Sequence, residues 1–227
     1  MTRRMMVPLL FGLAGAAILF ALGMWQVQRL QWKRGVIADI EARVAAPPVA
    51  LPAAPEEAGD EYLAVRISGR SDGEDVLVLI SAEGFGTGYR VVTPFVTATG
   101  RRVLVDRGFI AERRKNEPRP PLVGAVTGNL LWPDEVDVFV PPPEGRLWFA
   151  RDLPAMARAL QTEEILLVLR SAEQGNPGVR AMPINAANIP NDHLNYAITW
   201  FLLMIGWLGM TGYWLWRIRR QTDRKGA

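Results

Sequence analysis

Few side chains in this chain could carry out chemistry, because it contains no cysteine and one histidine, His193. The absence of thiols excludes disulfides, cysteine nucleophiles, thiolate metal sites and cysteine-attached haem. A single imidazole excludes a multi-histidine zinc or copper site within one chain and leaves a Ser-His-Asp triad little to build on. No pair of carboxylates can be named as an acid/base site. The candidate chemistry therefore centres on His193.

His193 lies on a helical face that could hold a flat ligand. The sequence predicts a helix that begins with Asn191 or Asp192 as its N-cap and carries the histidine in its first turn. Four residues share one face at positions i, i+3, i+4 and i+7: His193, Tyr196, Ala197 and Trp200. Haem iron accepts an imidazole nitrogen, so His193 is a candidate axial haem ligand and the other three are candidate pocket residues. A hydrogen-bonded structural histidine is the alternative.

A second cluster lies where a long apolar stretch ends. Trp25, Arg29, Trp32 and Lys33 fall at positions i, i+4, i+7 and i+8 and so share one helical face with two indoles and two cations. Anchoring in lipid headgroups is the simpler role for such a face. Packing of the two spans would bring this face near His193.

Two charge-free apolar stretches, residues 7–26 and 194–216, position these clusters. Each is about as long as a helix needs to cross a ~30 Å hydrocarbon layer, so we predict two transmembrane helices, the first continued by a juxtamembrane helix over 27–44. A cleaved signal peptide is the alternative for the first stretch, but the stretch is longer than a normal signal core. Small residues predict close packing of the two spans: Gly12, Ala16 and Gly23 in the first, and Gly206, Gly209 and Gly212 in the second.

The basic charge of the chain is concentrated at its ends. The calculated pI is 9.6, but residues 1–6 and 217–227 hold 7 of the 26 basic residues and 1 of the 23 acidic ones. This distribution is typical of membrane topology and not of a nucleic-acid surface. It predicts a cytoplasmic N-terminus (1–6), a cytoplasmic basic tail (217–227) and a periplasmic central domain. The lack of an Arg- and Ser-rich transit segment before the first span favours a bacterial inner membrane over a mitochondrial one.

The segment between the spans is predicted to be a β-rich domain. A Pro- and Ala-rich linker covers 45–59, and short strands with period-two alternation recur across 60–190. One short helix, about Leu153 to Gln161 with Asp152 as N-cap, fits between the last strands. Many short strands and one helix predict a mainly antiparallel β (α+β) extramembrane domain between two transmembrane helices.

Three further patterns favour structural explanations. Gly84, Gly86 and Gly88 precede a strand and not a helix, so a hairpin loop is favoured over a phosphate loop. The segment 106–109, Asp-Arg-Gly-Phe, is expected to be a strand-end turn with a local ion pair. The cations in a Pro-rich loop are expected to be solvated and not to bind nucleic acid, because they lack interleaved aromatics; these are Arg113, Arg114, Lys115 and Arg119.

Taken together, these segments resemble the surfeit locus protein 1 family, which are assembly factors for haem-copper cytochrome oxidase. The resemblance covers the whole arrangement of a span at each end and a β-rich domain between them. Four motifs carry it: Gly23-x-Trp25-Gln26-x-x-Arg29 with Lys33, Gly88-Tyr89-Arg90-Val91-x-Thr93-Pro94, Val105-x-Arg107-Gly108-Phe109, and Pro190-Asn191-Asp192-His193-x-x-Tyr196-Ala197-x-Thr199-Trp200-Phe201. Asp192 stands where a second Asn is expected, and Phe109 where Trp is usual.

The resemblance implies a non-enzymatic assembly factor that binds haem a and aids its insertion into oxidase subunit I. With haem implied, Arg29 becomes a candidate for a bidentate pair with a propionate, and Trp25 a candidate pocket residue. The implied partners are that subunit, the haem a synthesis machinery and membrane lipid, and the implied location is the inner membrane. Two other functions stay open on the residues alone. One is a cofactor-free membrane scaffold that stabilises an oxidase assembly intermediate. The other is copper handling through Met24, Met204 and His193, although copper(I) prefers several soft ligands.

Overall fold

The computed structural model describes residues 3–72, 75–186 and 189–223. The chain divides into two compact units, a helical unit made of residues 1–39 and 187–227, and a β unit over Ile40–Ala186. The basic residues Arg224 and Lys225 of the predicted tail lie outside the described residues.

The elements are, in chain order, α1 (Arg3–Ala45), β1 (Val49–Ala50), α2 (Glu57–Asp60), β2 (Ala64–Ser71), β3 (Val76–Ala82), β4 (Gly86–Thr97), β5 (Arg102–Ala111), a 3₁₀ turn (Glu112–Arg114), β6 (Val123–Leu131), β7 (Leu147–Trp148), α3 (Leu153–Leu160), β8 (Leu166–Ala172) and α4 (His193–Asp223).

The two long helices have the length and composition of membrane spans. The apolar segments, Met5–Ala45 and His193–Gln221, have mean hydropathies of 2.3 and 1.3 over their most apolar stretches. Their outward side chains are large and apolar, as expected for helices surrounded by lipid, and they include Leu10, Phe11, Ile18, Leu202, Ile205 and Trp214. The predicted span and juxtamembrane helix form one continuous helix, α1.

Within the helical unit, α1 and α4 pack antiparallel. Phe11 contacts Trp207 with ring centroids 5.4 Å apart, and Phe20 contacts Phe201 with centroids 6.0 Å apart. Further along, Gln26 contacts His193, so numbers rise on one helix as they fall on the other. The Arg3 end of α1 and the Asp223 end of α4 therefore lie at the same end of the pair.

The prediction of close helix packing is half right. Gly12, Ala16 and Gly23 of α1 do face α4: Ala16 is buried, the Gly12 carbonyl accepts a 2.9 Å hydrogen bond from Trp207, and a Cβ on Gly23 would lie 2.6 Å from the Phe201 ring. The prediction for α4 is wrong. A Cβ added at Gly206, Gly209 or Gly212 would meet no described residue within 4 Å. The close contacts are made instead by large α4 residues that pack against the glycines of α1.

In the β unit, five strands close into a barrel in the order β2-β6-β8-β5-β4, completed by pairing of β4 with β2. One apolar core fills the interior and draws on all five strands through residues such as Val65, Phe95, Val105, Val126 and Leu167. A second core lies outside the barrel, where α3 places Leu153 and Met156 against β3, β4 and β5. The sheet is mainly antiparallel, with parallel pairs at β1–β2, β3–β7 and β5–β8.

Several local predictions for the β unit are confirmed. Asp152 caps α3, its Oδ1 accepting the Ala155 N–H at 2.9 Å. Gly84 lies in the hairpin loop between β3 and β4 with a φ of +74°, a conformation that favours glycine. Gly86 and Gly88 were predicted in the same loop but belong to β4, where they pair with Ala82 and Ile80 of β3. The predicted linker, however, contains β1 and the start of α2, because Val49 and Ala50 pair with β2.

Two predictions about charged residues are wrong. Asp106 and Arg107 do not form a turn, because β5 continues to Ala111; Asp106 is fully buried and pairs with Arg90 at 2.6 Å and Arg151 at 3.4 Å. Arg119 is not solvated, since 7% of its side chain is exposed and its Nε lies 2.5 Å from Asp75 Oδ2. In both cases a residue distant in sequence supplies the opposite charge.

Candidate functional site

The one histidine lies where the two long helices of the helical unit meet. His193 is the first residue of α4, and its Nδ1 lies 2.9 Å from Oε1 of Gln26 on α1. Gln26 is buried, and His193 is half-buried. An imidazole whose Nδ1–H donates to an amide oxygen keeps the lone pair of Nε2 available to a metal ion. The contact therefore fixes the ring and presents its second nitrogen.

Packing between the helices holds this contact in place. Gly23, one turn before Gln26, lets the Phe201 ring approach the α1 backbone, and Leu30, one turn after it, is buried. On α4, Ala197 is 2% exposed and lies one turn after His193. Small residues at both positions let the backbones come close enough for a glutamine and a histidine to join across the gap.

The other predicted site residues differ in how far they are exposed. Trp25 is 56% exposed and Tyr196 57% exposed, while Trp200 is half-buried. Arg29 is exposed, and its guanidinium stacks on Trp32 with its Cζ 3.9 Å from the ring centroid. Ala197 is closed off by packing and offers no surface for a flat ligand. The structure thus joins His193 to Gln26 and leaves Trp25, Arg29 and Tyr196 facing outward.

Gln26 was the residue that sequence reasoning gave no role. The available indication was its type: an uncharged polar side chain at the end of an apolar helix needs a hydrogen-bond partner. Periodicity could not name that partner, because it lies 167 positions away. A second polar atom near the histidine, Oδ1 of Asn191, is buried without a hydrogen-bond partner in the described part of the chain.

These residues meet some of the requirements of a haem site. The free Nε2 of His193, oriented by Gln26, has the donor chemistry that iron accepts, and the exposed aromatic rings of Trp25 and Tyr196 could cover an apolar macrocycle. Within the described residues there is no cluster of three or more His, Asp or Glu that would hold a metal ion without such a macrocycle. A second imidazole ligand cannot come from the same chain, whose sequence has one histidine.

Copper handling by Met204 and His193 together does not fit the geometry. The two residues belong to one continuous helix and are separated by 11 positions. At 1.5 Å per residue they lie roughly 16 Å apart along the axis, far beyond the reach of a shared ion.

Residues 69–73 match the letters of a serine nucleophile elbow, Gly-x-Ser-x-Gly, but not its geometry. The elbow requires a strand followed directly by a helix. Ser71 ends β2, β3 begins at Val76, and the Ser71 hydroxyl accepts the Leu122 N–H at 2.8 Å. Ser71 is therefore a strand residue whose hydroxyl holds the Leu122 backbone.

Comparison with known proteins decides the family. The SURF1 family model matches residues 13–205, which include both Gln26 and His193. The chain belongs to the SURF1 family. It is 34% identical to Surfeit locus protein 1 of Rattus norvegicus, over 91% of this chain and 74% of the relative. It is 35% identical to Surfeit locus protein 1 of Homo sapiens, over 80% of this chain and 69% of the relative. It is 31% identical to the SURF1-like protein of Monosiga brevicollis, over 92% of this chain and 87% of the relative.

The SURF1 match places the helix contact inside the family's shared region. It begins within α1, passes through the whole barrel and ends within α4. The two segments that form the Gln26–His193 contact lie at opposite ends of this region, so only folding brings them together.

Proposed function

We propose that this SURF1-family chain assists assembly of haem-copper cytochrome c oxidase by holding haem a and aiding its insertion into subunit I. His193 would supply a nitrogen ligand to the haem iron, and Arg29 would pair with a propionate. Trp25, Tyr196 and Trp200 would cover the macrocycle. The chain performs no catalytic turnover of its own, and its partners are oxidase subunit I and the haem a synthesis machinery.

The observation that carries this proposal is the hydrogen bond between Gln26 and His193, 2.9 Å long. A histidine that served structure alone could use either nitrogen. Here Nδ1 is engaged, and Nε2 makes no hydrogen bond to any other described residue. A ring fixed in this way is the arrangement found where histidine binds metals, since the second partner sets the tautomer.

The location that suits this role is the inner membrane, with both termini cytoplasmic and the β unit periplasmic. The antiparallel helices support it, because they place both ends of the pair on the same side. Arg217, Arg219 and Arg220 then lie at the cytoplasmic end of α4, as the positive-inside rule expects.

The decisive experiment is purification of the full chain from a haem a-producing host, followed by a visible absorption spectrum. His193→Ala is expected to lose the bound low-spin haem while the protein stays in the membrane at normal amounts. Gln26→Leu is expected to keep part of the haem with a shifted spectrum, because the ring loses its orienting partner. Oxidase haem a content should fall with His193→Ala.

Asn195→Ala is the matched control, because Asn195 is exposed, two positions after His193 and on the other side of α4. It should keep the parental haem content. Unchanged haem stoichiometry and spectrum in His193→Ala would remove the ligand role.

A cofactor-free scaffold is the second candidate, and the exposure of the site favours it. Trp25 and Tyr196 face outward and Ala197 is closed by packing, so the helical unit presents aromatic side chains to a partner as readily as to a haem. A parental protein that purifies without haem, yet coprecipitates subunit I, would support this function.

A further inference from the structure

The β unit contains a polar cavity that the haem-handling proposal does not use. It has a volume of about 520 Å³, and its lining includes five basic residues and three acidic ones. The basic residues are Arg70, Arg107, Lys115, Arg119 and Arg146, and the acidic ones are Asp72, Asp75 and Glu117. All of them belong to the β unit.

A β-bulge brings Arg107 to this cavity. On β5, Asp106 pairs with Val92 and Gly108 pairs with Val91 of β4, so Arg107 is the extra residue between two consecutive partners. A bulge re-aims the side chain of its extra residue, and bulges are enriched next to functional sites. The φ of +115° at Gly108 permits this path of the chain, and an added Cβ there would collide with the Arg180 carbonyl.

Arg107 is a buried cation without a carboxylate partner. The residue is 2% exposed, and its two hydrogen bonds go to neutral oxygens: Nε donates to Asn176 Oδ1 and Nη1 to the Pro120 carbonyl, both at 3.0 Å. Nη2 is buried and has no hydrogen-bond partner among the described residues. Burial and the nearby charge of Arg119 lower the pKa of Arg107 to about 10, which reflects the cost of leaving this charge unbalanced.

The acidic residues of the lining are already engaged. Asp75 pairs with both Arg119 and Arg146, Asp72 pairs with Arg102, and Glu117 pairs with Arg114. Three cations of the lining therefore have no carboxylate partner in the described part of the chain: Arg70, Arg107 and Lys115. They come from β2, β5 and the segment after the 3₁₀ turn, so the excess positive charge is shared by three separate elements.

We propose that this cavity binds a phosphate group, with Arg107 at its base and Arg70 and Lys115 at its rim. A dianion would offset two of the three positive charges and supply the missing acceptor for Nη2. The tetrahedral arrangement of phosphate oxygens suits donors that arrive from several directions. A single carboxylate is the poorer match, because its one negative charge would leave two of the three cations without a counter-charge.

We would test this proposal by titration calorimetry and thermal unfolding of the full chain in phosphatidylcholine nanodiscs. The probe is inorganic phosphate, and the reference is sodium chloride at equal ionic strength. Phosphate should bind at millimolar concentration or below and raise Tm, since a ligand of the folded state stabilises it. Glycerol 3-phosphate and short-chain dihexanoyl phosphatidic acid distinguish the source. A soluble ligand predicts equal binding of the two esters, and a lipid headgroup predicts tighter binding of the second.

Substitutions identify the cavity as the site. Arg70→Ala and Lys115→Ala should each weaken phosphate binding by about tenfold or more, as expected for loss of a charge-assisted hydrogen bond. Arg66→Ala is the matched control, because Arg66 is exposed on the same strand as Arg70 but does not line the cavity. Arg107→Lys keeps a cation but removes Nη2, and it should abolish phosphate binding while the chain still melts cooperatively.

Two results would overturn the proposal. One is the absence of heat and of any Tm shift in the parental chain at 10 mM phosphate, roughly a physiological upper limit for such a ligand to matter. The other is phosphate binding by Arg70→Ala and Lys115→Ala that equals that of Arg66→Ala. Either result would make Arg107 a structural cation that joins Asn176 to Pro120. The Arg70 and Lys115 variants decide the matter if Arg107→Lys does not fold.

Discussion

Asp106 shows how a single buried charge organises the β unit. It is fully buried on β5, where it accepts hydrogen bonds from Arg90 and Arg151 and from the Gly108 N–H at 3.0 Å. Arg151 also pairs with Glu135. Burial opposes ionisation of Glu135, but the hydrogen bonds and charge of Arg151 outweigh it, so the pKa of Glu135 is lowered. These contacts tie the loop before β7 to the centre of the sheet.

We expect Asp106→Asn to destabilise the β unit severely. The substitution keeps the side-chain shape but leaves Arg90 without a carboxylate and Arg151 with Glu135 alone, a loss of about 3–5 kcal/mol in the free energy of unfolding. Chemical unfolding of the detergent-solubilised chain measures it. Glu117→Gln is the control, since its pair with Arg114 is exposed and should be worth under about 1 kcal/mol. Equal losses in both variants would show that the buried carboxylate has no special role.

At the scale of elements, the fit between α1 and α4 is what places His193 opposite Gln26. Large α4 residues enter the positions that α1 leaves open: Trp207 packs over Gly15, and Phe201 packs over Gly23. The same α4 helix carries three glycines on a face that packs against no described residue. A larger side chain would therefore disturb the helix pairing where α4 packs against α1, but not on the glycine face of α4.

Gly15→Leu should separate the two helices, whereas Gly209→Leu should not. A Cβ on Gly15 would lie 2.5 Å from the Trp207 indole, while a Cβ on Gly209 meets nothing within 4 Å. Overpacking of this kind costs about 1–3 kcal/mol. The measurement is chemical crosslinking of the double substitution Phe20→Cys and Phe201→Cys, possible because the chain has no other cysteine. Crosslinking should fall several-fold with Gly15→Leu. A similar fall with Gly209→Leu would show that this helix pairing is wrong.

At the scale of the whole molecule, the two long helices come before and after the barrel in chain order: the chain enters the barrel after α1 and leaves it before α4. A chain that crosses a membrane twice must expose its central segment on the side opposite its two ends. The charges of the first and last segments then decide which side this is. The proposed orientation therefore follows from topology together with charge.

Reporter fusions test the proposed orientation. A fusion at residue 120, in the loop between β5 and β6, should report as periplasmic, and a fusion after residue 223 as cytoplasmic. Removing the positive charges of Arg217, Arg219 and Arg220 should weaken this preference, because the positive-inside rule depends on them. A cytoplasmic report at residue 120 in the parental chain would reverse the orientation.

The sequence by itself determined the features that depend on local pattern. Charge-free stretches of sufficient length predicted both long helices, and period-two alternation predicted strands such as β2 and β4. The Asp152 cap and the Gly84 loop followed from the backbone chemistry of single residues. The His193 and Trp25 motifs were enough to indicate the family, which the comparisons then showed. All of these depend on neighbours within a few positions.

Tertiary structure alone decided which distant groups meet. The partner of His193 lies 167 positions away, the Arg119–Asp75 pair spans 44 positions, and Arg107 meets Asn176 across 69. Asp106 and Arg107 are adjacent and both buried because β5 is covered on both faces: Val103 and Val105 belong to one core and Leu104 to the other. Such contacts depend on strand register and helix rotation, which are set by packing over the whole unit and leave no local trace in the sequence.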